Sequence, residues 1–202
     1  MEGLKELNND AYKFFMSPRN KSIKGMDVQL GNQFDEAFMS FLKSKNIDIG
    51  RADTKNKKLP DLQVLDKTRN IKAYIEHKYH HAPFMLSYKI INRENYEGSI
   101  TLDEKKLRKQ IIECEAEIPN RPVYIVHWVD FHHLKGIFFN TLEQIKEYLD
   151  NPDKSGRYKR QIREGDYKLI NKQKLKKGYL AKFYPPLHEM GNFYELMEHL
   201  KK

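Results

Sequence analysis

The stretch PDLQVLDKTRNIKAYIEHK, residues 60–78, decides the fold. It holds two short runs of strand-forming residues, 60–66 and 71–78, and the polar run 67–70 between them is suited to a turn. The stretch therefore predicts a β-hairpin. Side chains of a strand alternate between two faces, so Glu76 and Lys78 point the same way and His77 points back. On the same alternation, a predicted core face is formed by Ile71, Ala73 and Ile75.

The register of this hairpin brings two carboxylates together. If Asp66 pairs with Ile71 across the turn, Asp61 lies opposite Glu76, with Cβ atoms about 5 Å apart. Opposed like charges destabilise a sheet, and a divalent cation between them removes that cost. Mg²⁺ prefers one or two carboxylates with waters and phosphate oxygens. The alternative is an exposed cross-strand charge cluster that contributes little to stability.

The order Pro60-Asp61, a spacer, then Glu76, any residue and Lys78 resembles the signature of the PD-(D/E)XK nuclease superfamily, which has the restriction-endonuclease-like fold. The resemblance covers about residues 27–140 by the order of the elements. It implies a metal-dependent endonuclease that hydrolyses DNA phosphodiester bonds. It further implies Asp61, Glu76 and Lys78 as catalytic residues, Mg²⁺ as the cofactor with Mn²⁺ as a substitute, and the His77 carbonyl as an additional metal ligand.

A helix is predicted over residues 27–45, before the hairpin. Its apolar stripe at helical spacing consists of Leu30, Phe34, Phe38, Phe41 and Leu42. Glu36 lies off this stripe, next to Asp35. The resemblance implies that a glutamate of this helix approaches the metal, which makes Glu36 a candidate metal-binding and catalytic residue. The alternative for Glu36 is a solvated helix carboxylate.

Histidines cluster at the end of the hairpin, at His77, His80 and His81. A zinc site is the weaker interpretation, because His77 points away from the carboxylates and no cysteine accompanies the group. The favoured prediction is contact with a DNA backbone or plain surface.

A second helix is predicted from the capping box at Thr101–Glu104 to about Glu117. Cations early in a helix oppose its dipole, so a phosphate partner would account for the basic first half of this one. Compensation by Asp103 and Glu104 is the alternative. The predicted DNA-binding residues here are Lys105, Arg108, Lys109 and Gln110, the last by the resemblance alone.

The remaining core elements are strands at 122–129 and 134–139, then a helix opened by a second capping box, Thr141–Gln144. A last short helix is predicted at about 192–200. This order predicts an α/β fold with a mixed central β-sheet flanked by helices. We expect a core domain at residues 1–150 with an N-terminal helical arm at 4–15, and a basic extension at 151–202 packed on the same domain.

The composition favours a polyanionic partner. The 202 residues contain 37 Lys and Arg against 28 Asp and Glu, a formal net charge of +9. DNA is the expected partner. Outside the core, the best electrostatic footprint for it is the basic segment 154–177, which includes Arg157, Lys159 and Arg160. No apolar run approaches the ~20 residues of a membrane helix, and a single cysteine, Cys114, favours a reducing cytoplasm.

Three functions remain open. The favoured one is a type II restriction endonuclease acting as a homodimer, because cutting both strands usually needs two sites. The second is a structure-specific nuclease such as a Holliday-junction resolvase, although Asn20-Lys21-Ser22 is a poor match to the usual Asn-Arg-Gly motif. The third is a non-catalytic DNA-binding protein on the same fold.

Overall fold

The structure is a computed structural model. It describes residues 24–53, 55–56, 59–80, 100, 102–117, 121–131, 134–151, 158–159, 167–170, 173–176, 181–183 and 185–202. Only the backbone is described at 24–28, 30, 106, 117, 158–159, 167–170, 173–176 and 181–183. The predicted helix at 4–15, the capping residue Thr101 and the predicted DNA-binding residues Arg157 and Arg160 lie outside the described residues.

The described elements follow the α/β order that the sequence predicts. The helices are α1 (Lys24–Ser44), α2 (Glu104–Glu117), α3 (Leu142–Asp150) and α4 (Phe193–Lys201), with a 3₁₀ turn at Leu187–Glu189. The strands are β1 (Asp48–Arg51), β2 (Leu62–Leu65), β3 (Ile71–His80), β4 (Leu102–Asp103), β5 (Val123–Asp130), β6 (Lys135–Thr141), β7 (Tyr158–Lys159), β8 (Tyr167–Ile170), β9 (Gln173–Lys176), β10 (Ala181–Phe183) and β11 (Gly191–Asn192). No described helix has the length and apolar character needed to cross a membrane.

A six-stranded mixed sheet forms the centre of the fold, in the order β1-β2-β3-β5-β6-β11. β3 and β5 pair in parallel, and the other neighbours pair antiparallel. A parallel pair needs a long crossover connection, and α2 lies in the connection between β3 and β5. This arrangement confirms the predicted mixed central sheet flanked by helices.

Helices cover both faces of the sheet. On one face, here the α2–α3 face, the core includes Leu107, Ile111, Ile125, Ile145 and Leu149. On the other, the α1–α4 face, it includes Phe38, Leu42, Ile75, Val126 and Leu196. The central strands are therefore buried on both sides, which explains the continuous apolar run of β5.

Local signals account for the helices. Phe38 and Leu42, one turn apart on the predicted stripe, are completely buried. At the start of α3, the Gln144 N–H donates to Thr141 Oγ1 (3.3 Å), and the Thr141 N–H donates to Gln144 Oε1 (2.9 Å). This reciprocal pair confirms the second predicted capping box.

The hairpin register is right in β2 and wrong next to the turn. Val64 pairs with Ala73 as predicted, but Leu65 rather than Asp66 pairs with Ile71. Lys72 is therefore an extra residue, a β-bulge, and it breaks the alternation of side chains. As a result Ile71 packs against the α2–α3 core instead of sharing the face of Ala73. The Lys72 ammonium instead reaches α4, where it donates to the Leu200 carbonyl (3.0 Å).

The turn itself is held by Asp66. Its Oδ1 accepts hydrogen bonds from the backbone N–H of Thr68 (2.8 Å) and of Asn70 (2.9 Å). Arg69 takes a positive φ of 66°. The predicted polar turn at 67–70 therefore exists, but Asp66 belongs to it rather than to the strand.

Strand pairing joins the described C-terminal part of the chain to the rest at two places. β11 pairs with β6 at the edge of the central sheet, where Gly191 faces Phe139. β10 pairs with β4 and with β7 in a three-stranded sheet, and β8 pairs with β9. The proposed division of the chain near residue 150 stays a prediction.

Candidate active site

Three of the predicted site residues meet on the α2–α3 face. The Lys78 ammonium contacts Glu76 Oε1 and lies 3.9 Å from Asp61 Oδ2. The Glu76 side chain is 4% exposed, whereas that of Asp61 is 42% exposed. One ammonium thus lies between a buried carboxylate and one that faces solvent.

Strand geometry explains this convergence. Glu76 and Lys78 lie two residues apart on β3, so they share a face. Asp61 immediately precedes β2, which is antiparallel to β3, and continuing the Leu62–Ile75 pairing places it beside Glu76. Its carbonyl also accepts a hydrogen bond from the Ala52 N–H (3.1 Å), which anchors the residue before the strand.

One ammonium lies beside two carboxylates in this cluster. A buried carboxylate is costly unless it is paired, and the buried Glu76 is paired with Lys78. The donors are hard oxygens, which suit Mg²⁺ or Mn²⁺. Among the described residues, no three His, Cys, Asp or Glu side chains form a group that could hold a metal. Two carboxylates are the donors that Mg²⁺ commonly takes together with waters and phosphate oxygens.

His77 turns to the opposite face, as the alternation predicts. Its imidazole is 1% exposed, and its Nδ1–H donates to Asp35 Oδ1 (2.8 Å). The ring stacks on Phe38, with centroids 4.4 Å apart and planes 7° apart. Its backbone N–H donates to Asp61 Oδ2 (3.3 Å). The predicted surface position of the His77 side chain is therefore wrong, because the strand is buried on both faces.

Glu36 does not join the carboxylate pair. Its side chain is 63% exposed and accepts a hydrogen bond from Arg51 Nε (3.0 Å). Asp35, one residue earlier and about 100° round the helix, faces the sheet instead. The structure thus supports the solvated alternative for Glu36. The residue of α1 that contacts the strand of the candidate site is Asp35.

The predicted DNA-binding residues of α2 differ in their surroundings. Lys105 and Lys109 are exposed, and Lys109 pairs with Glu113 (3.4 Å). Arg108 has an internal role, because Nε donates to Glu104 (3.0 Å) and Nη2 donates to the Leu149 carbonyl at the end of α3 (2.9 Å).

Gln110 lies deeper in α2. Its side chain is half-buried, and its Oε1 has no hydrogen-bond partner within the described structure. For Lys159, only the backbone in β7 is described. DNA contact therefore stays a prediction for all of these residues.

A row of polar side chains next to Lys78, across β3, β5 and β6, was not predicted from the sequence. His80 Nε2 lies 3.1 Å from His127 Nδ1 across β3 and β5. His127 and Asn140 are fully buried. His127 Nε2 and both amide atoms of Asn140 lack a hydrogen-bond partner among the residues that the structure describes. The available signal was a histidine inside an otherwise apolar strand at 122–129.

Both of these histidines are held neutral. Burial, then the charge of Lys78, lowers the pKa of His80 to about 3. Burial, then His80 and Lys78, also lowers the pKa of His127 well below its usual value. Neither imidazole is therefore an effective proton acceptor near neutral pH. His80 is half-buried beside His127, and its predicted contact with a DNA backbone stays a prediction.

Cys114 lies on α2 and is buried in the core of the α2–α3 face. Burial, followed by the negative charge of Glu76, raises the pKa of the Cys114 thiol to about 11. The thiol is therefore protonated and is not a nucleophile. Cys114 belongs to the core of the α2–α3 face together with Tyr74 of β3 and Ile125 of β5.

Comparison with known proteins gives a structural likeness but no match in sequence. No protein-family model matches the chain, and no curated protein matches it. Among solved structures, D212, a nuclease from a fusselovirus, is similar with a TM-score of 0.44 and 10% sequence identity. The similarity covers 89% of this chain and 92% of that one.

Proposed function

We propose that this protein is a Mg²⁺-dependent DNA endonuclease that hydrolyses phosphodiester bonds, with Mn²⁺ as a substitute. The observation that carries the proposal is the position of Lys78 between Asp61 and the buried Glu76. The resemblance of Pro60-Asp61 and Glu76-His77-Lys78 to the PD-(D/E)XK signature supports the same chemistry. Asp61, Glu76 and the His77 carbonyl would hold the ion.

Each of these residues has a distinct role in the proposed reaction. The bound ion supplies a polarised phosphoryl oxygen and a water of lowered pKa. Glu76 fixes the Lys78 ammonium by direct contact. Lys78 orients the attacking water and stabilises the charge that develops on the phosphate in the transition state. Asp61, the more exposed carboxylate, faces the side from which a substrate arrives.

The substrate is DNA by charge and by chemistry. A net charge of +9 favours a polyanion, and exposed Lys105 and Lys109 lie on α2, which crosses the candidate site face. We propose a type II restriction endonuclease that works as a homodimer, since two active sites are needed to cut both strands together.

The test is a cleavage assay on plasmid, linear duplex and four-way junction, with and without Mg²⁺. Discrete plasmid fragments that require the metal support restriction-type cleavage, and selective junction cutting identifies a structure-specific nuclease. Lys78→Ala and Asp61→Asn should each lower the cleavage rate by at least about a hundredfold. Asp66→Asn is the matched control, because Asp66 belongs to the same hairpin but only holds its turn.

Two results contradict the proposal. Undiminished cleavage by Asp61→Asn removes the site assignment. Tight DNA binding without metal binding or cleavage, on every substrate, identifies a non-catalytic DNA-binding protein.

A further inference from the structure

We infer that Asp35 is a positioning residue that sets the geometry of the two metal-binding carboxylates from the opposite face of the sheet. The inference rests on the proposed function, because it assigns Asp35 to the support of the same site. It assigns no contact between Asp35 and the ion. The structural basis is a closed series of hydrogen bonds that passes through Asp35 and Asp61.

The first half of the series runs through His77. Asp35 Oδ1 accepts from His77 Nδ1 (2.8 Å), and Phe38 packs flat against the same ring. His77 lies between Glu76 and Lys78 in the chain, so a rotation of its backbone would move both of their side chains. Asp35 and Phe38 together hold that backbone in one orientation.

The second half runs through Arg51. Asp35 Oδ2 accepts from Arg51 Nη1 (3.3 Å). Arg51 ends β1, and the N–H of the next residue, Ala52, donates to the Asp61 carbonyl (3.1 Å). The Asp61 carboxylate in turn accepts from the His77 backbone N–H (3.3 Å). The series therefore closes on itself, and Asp61 is held at both its main chain and its side chain.

The Asp35 carboxylate accepts hydrogen bonds from both halves of the series, one oxygen from His77 and the other from Arg51. Its side chain is 14% exposed, so solvent replaces it poorly. Glu36 contacts the same Arg51 but has no described hydrogen bond to His77. Comparing the two acids therefore separates the contact through His77 from the contact through Arg51.

The experiment measures Mn²⁺ affinity by calorimetry on the metal-free full chain, below the melting temperature of each variant. Residues that support metal-binding carboxylates typically change metal affinity by 10–100-fold. We expect Asp35→Ala to weaken Mn²⁺ binding by about 10–100-fold. Asp35→Asn should recover part of that loss, because its amide oxygen still accepts from His77 Nδ1. Asp48→Asn, an exposed carboxylate on β1, is the control for lost negative charge and should bind as wild type does.

The outcomes separate the inference from the proposed function. Wild-type protein that binds no Mn²⁺ overturns the metal site, and the inference with it. Wild-type binding with unchanged binding by Asp35→Ala overturns only the inference, even if the melting temperature falls. An equal loss in Glu36→Gln also overturns it, in favour of a direct or Arg51-linked role for the helix acids. If Asp35→Ala does not fold, Mn²⁺ affinity is measured on Asp35→Asn and His77→Gln instead. Weaker binding by both variants supports the inference, and wild-type binding by either one overturns it.

Discussion

The two faces of β3 differ in the kind of side chain they carry, because alternate residues of a strand point to opposite faces. On the α2–α3 face lie Glu76, Lys78 and His80, two of them charged. On the α1–α4 face lie Ile75 and His77, packed against α1 and its aromatic side chains. The residues of the candidate site therefore lie on a strand whose opposite face is packed against α1. The comparison shows that the candidate site and its packing are one residue apart, so a substitution on either face should affect the other.

The largest effect is expected from a substitution on the α1–α4 face. Phe38→Ala should lower the free energy of unfolding by about 3–5 kcal/mol, because a completely buried ring is lost and a cavity remains. Urea denaturation measures the change. Ile112→Ala is the control, since Ile112 is an exposed apolar side chain on α2 and its truncation should be nearly neutral. A similar loss in both variants would show that the α1–α4 face carries no special share of the stability.

A smaller effect on stability is expected on the α2–α3 face, from the pH dependence of His80. His80 is held neutral with a pKa of about 3, against an ordinary value of 6.5. Below pH 6.5 the unfolded chain binds a proton at this residue and the folded chain does not, so stability falls as the pH falls toward 3. Between pH 7 and pH 5 the loss is about 2 kcal/mol for His80. His127 contributes in the same direction.

Thermal or urea unfolding at the two pH values measures this loss. His80→Gln should remove about 2 kcal/mol of the pH dependence, because glutamine does not titrate in this range. His188→Gln, at an exposed position, is the matched control for the substitution itself. An unchanged slope in His80→Gln would mean that this imidazole is not held neutral.

The smallest effects separate two neighbouring cations of α2. Arg108→Ala should lower the free energy of unfolding by about 1 kcal/mol, because the hydrogen bond from its Nη2 to the Leu149 carbonyl joins α2 to the end of α3. Lys109→Ala should leave stability nearly unchanged. Its effect should appear in the salt dependence of DNA binding, whose logarithmic slope should fall by about 1. A lower salt-dependence slope in Arg108→Ala, with an unchanged slope in Lys109→Ala, would instead indicate Arg108 as the DNA contact.

Local patterns predicted most of the central fold. The apolar stripe around Phe38, the capping box at Thr141 and the apolar run of β5 each depend on neighbouring residues, so the sequence alone reveals them. The pairing of β2 with β3 also followed from alternation. The bulge at Lys72 could not be predicted, because it depends on how Lys72 reaches α4.

The residues of the candidate site on the α2–α3 face were predicted from the sequence, but Asp35 on the opposite face was not. Asp61, Glu76 and Lys78 come together through a single hairpin, so strand geometry was enough. The choice between Asp35 and Glu36 depends on the rotation of α1 against the sheet, which helical spacing fixes only to within about one residue. The contact of His80 with His127 depends on the parallel pairing of β3 and β5, and residues far apart in sequence give no local sign of that neighbourhood.

The hydrogen bond from Lys72 to the Leu200 carbonyl joins residues 128 positions apart. At about 5–20 residues per second, a ribosome needs on the order of ten seconds to travel that distance. During this interval the nascent hairpin already carries Asp61, Glu76 and Lys78, while the α4 side chains that help to cover its apolar back have not been made. The order of synthesis thus leaves this face of the hairpin covered by α1 alone until residues 193–201 have been made.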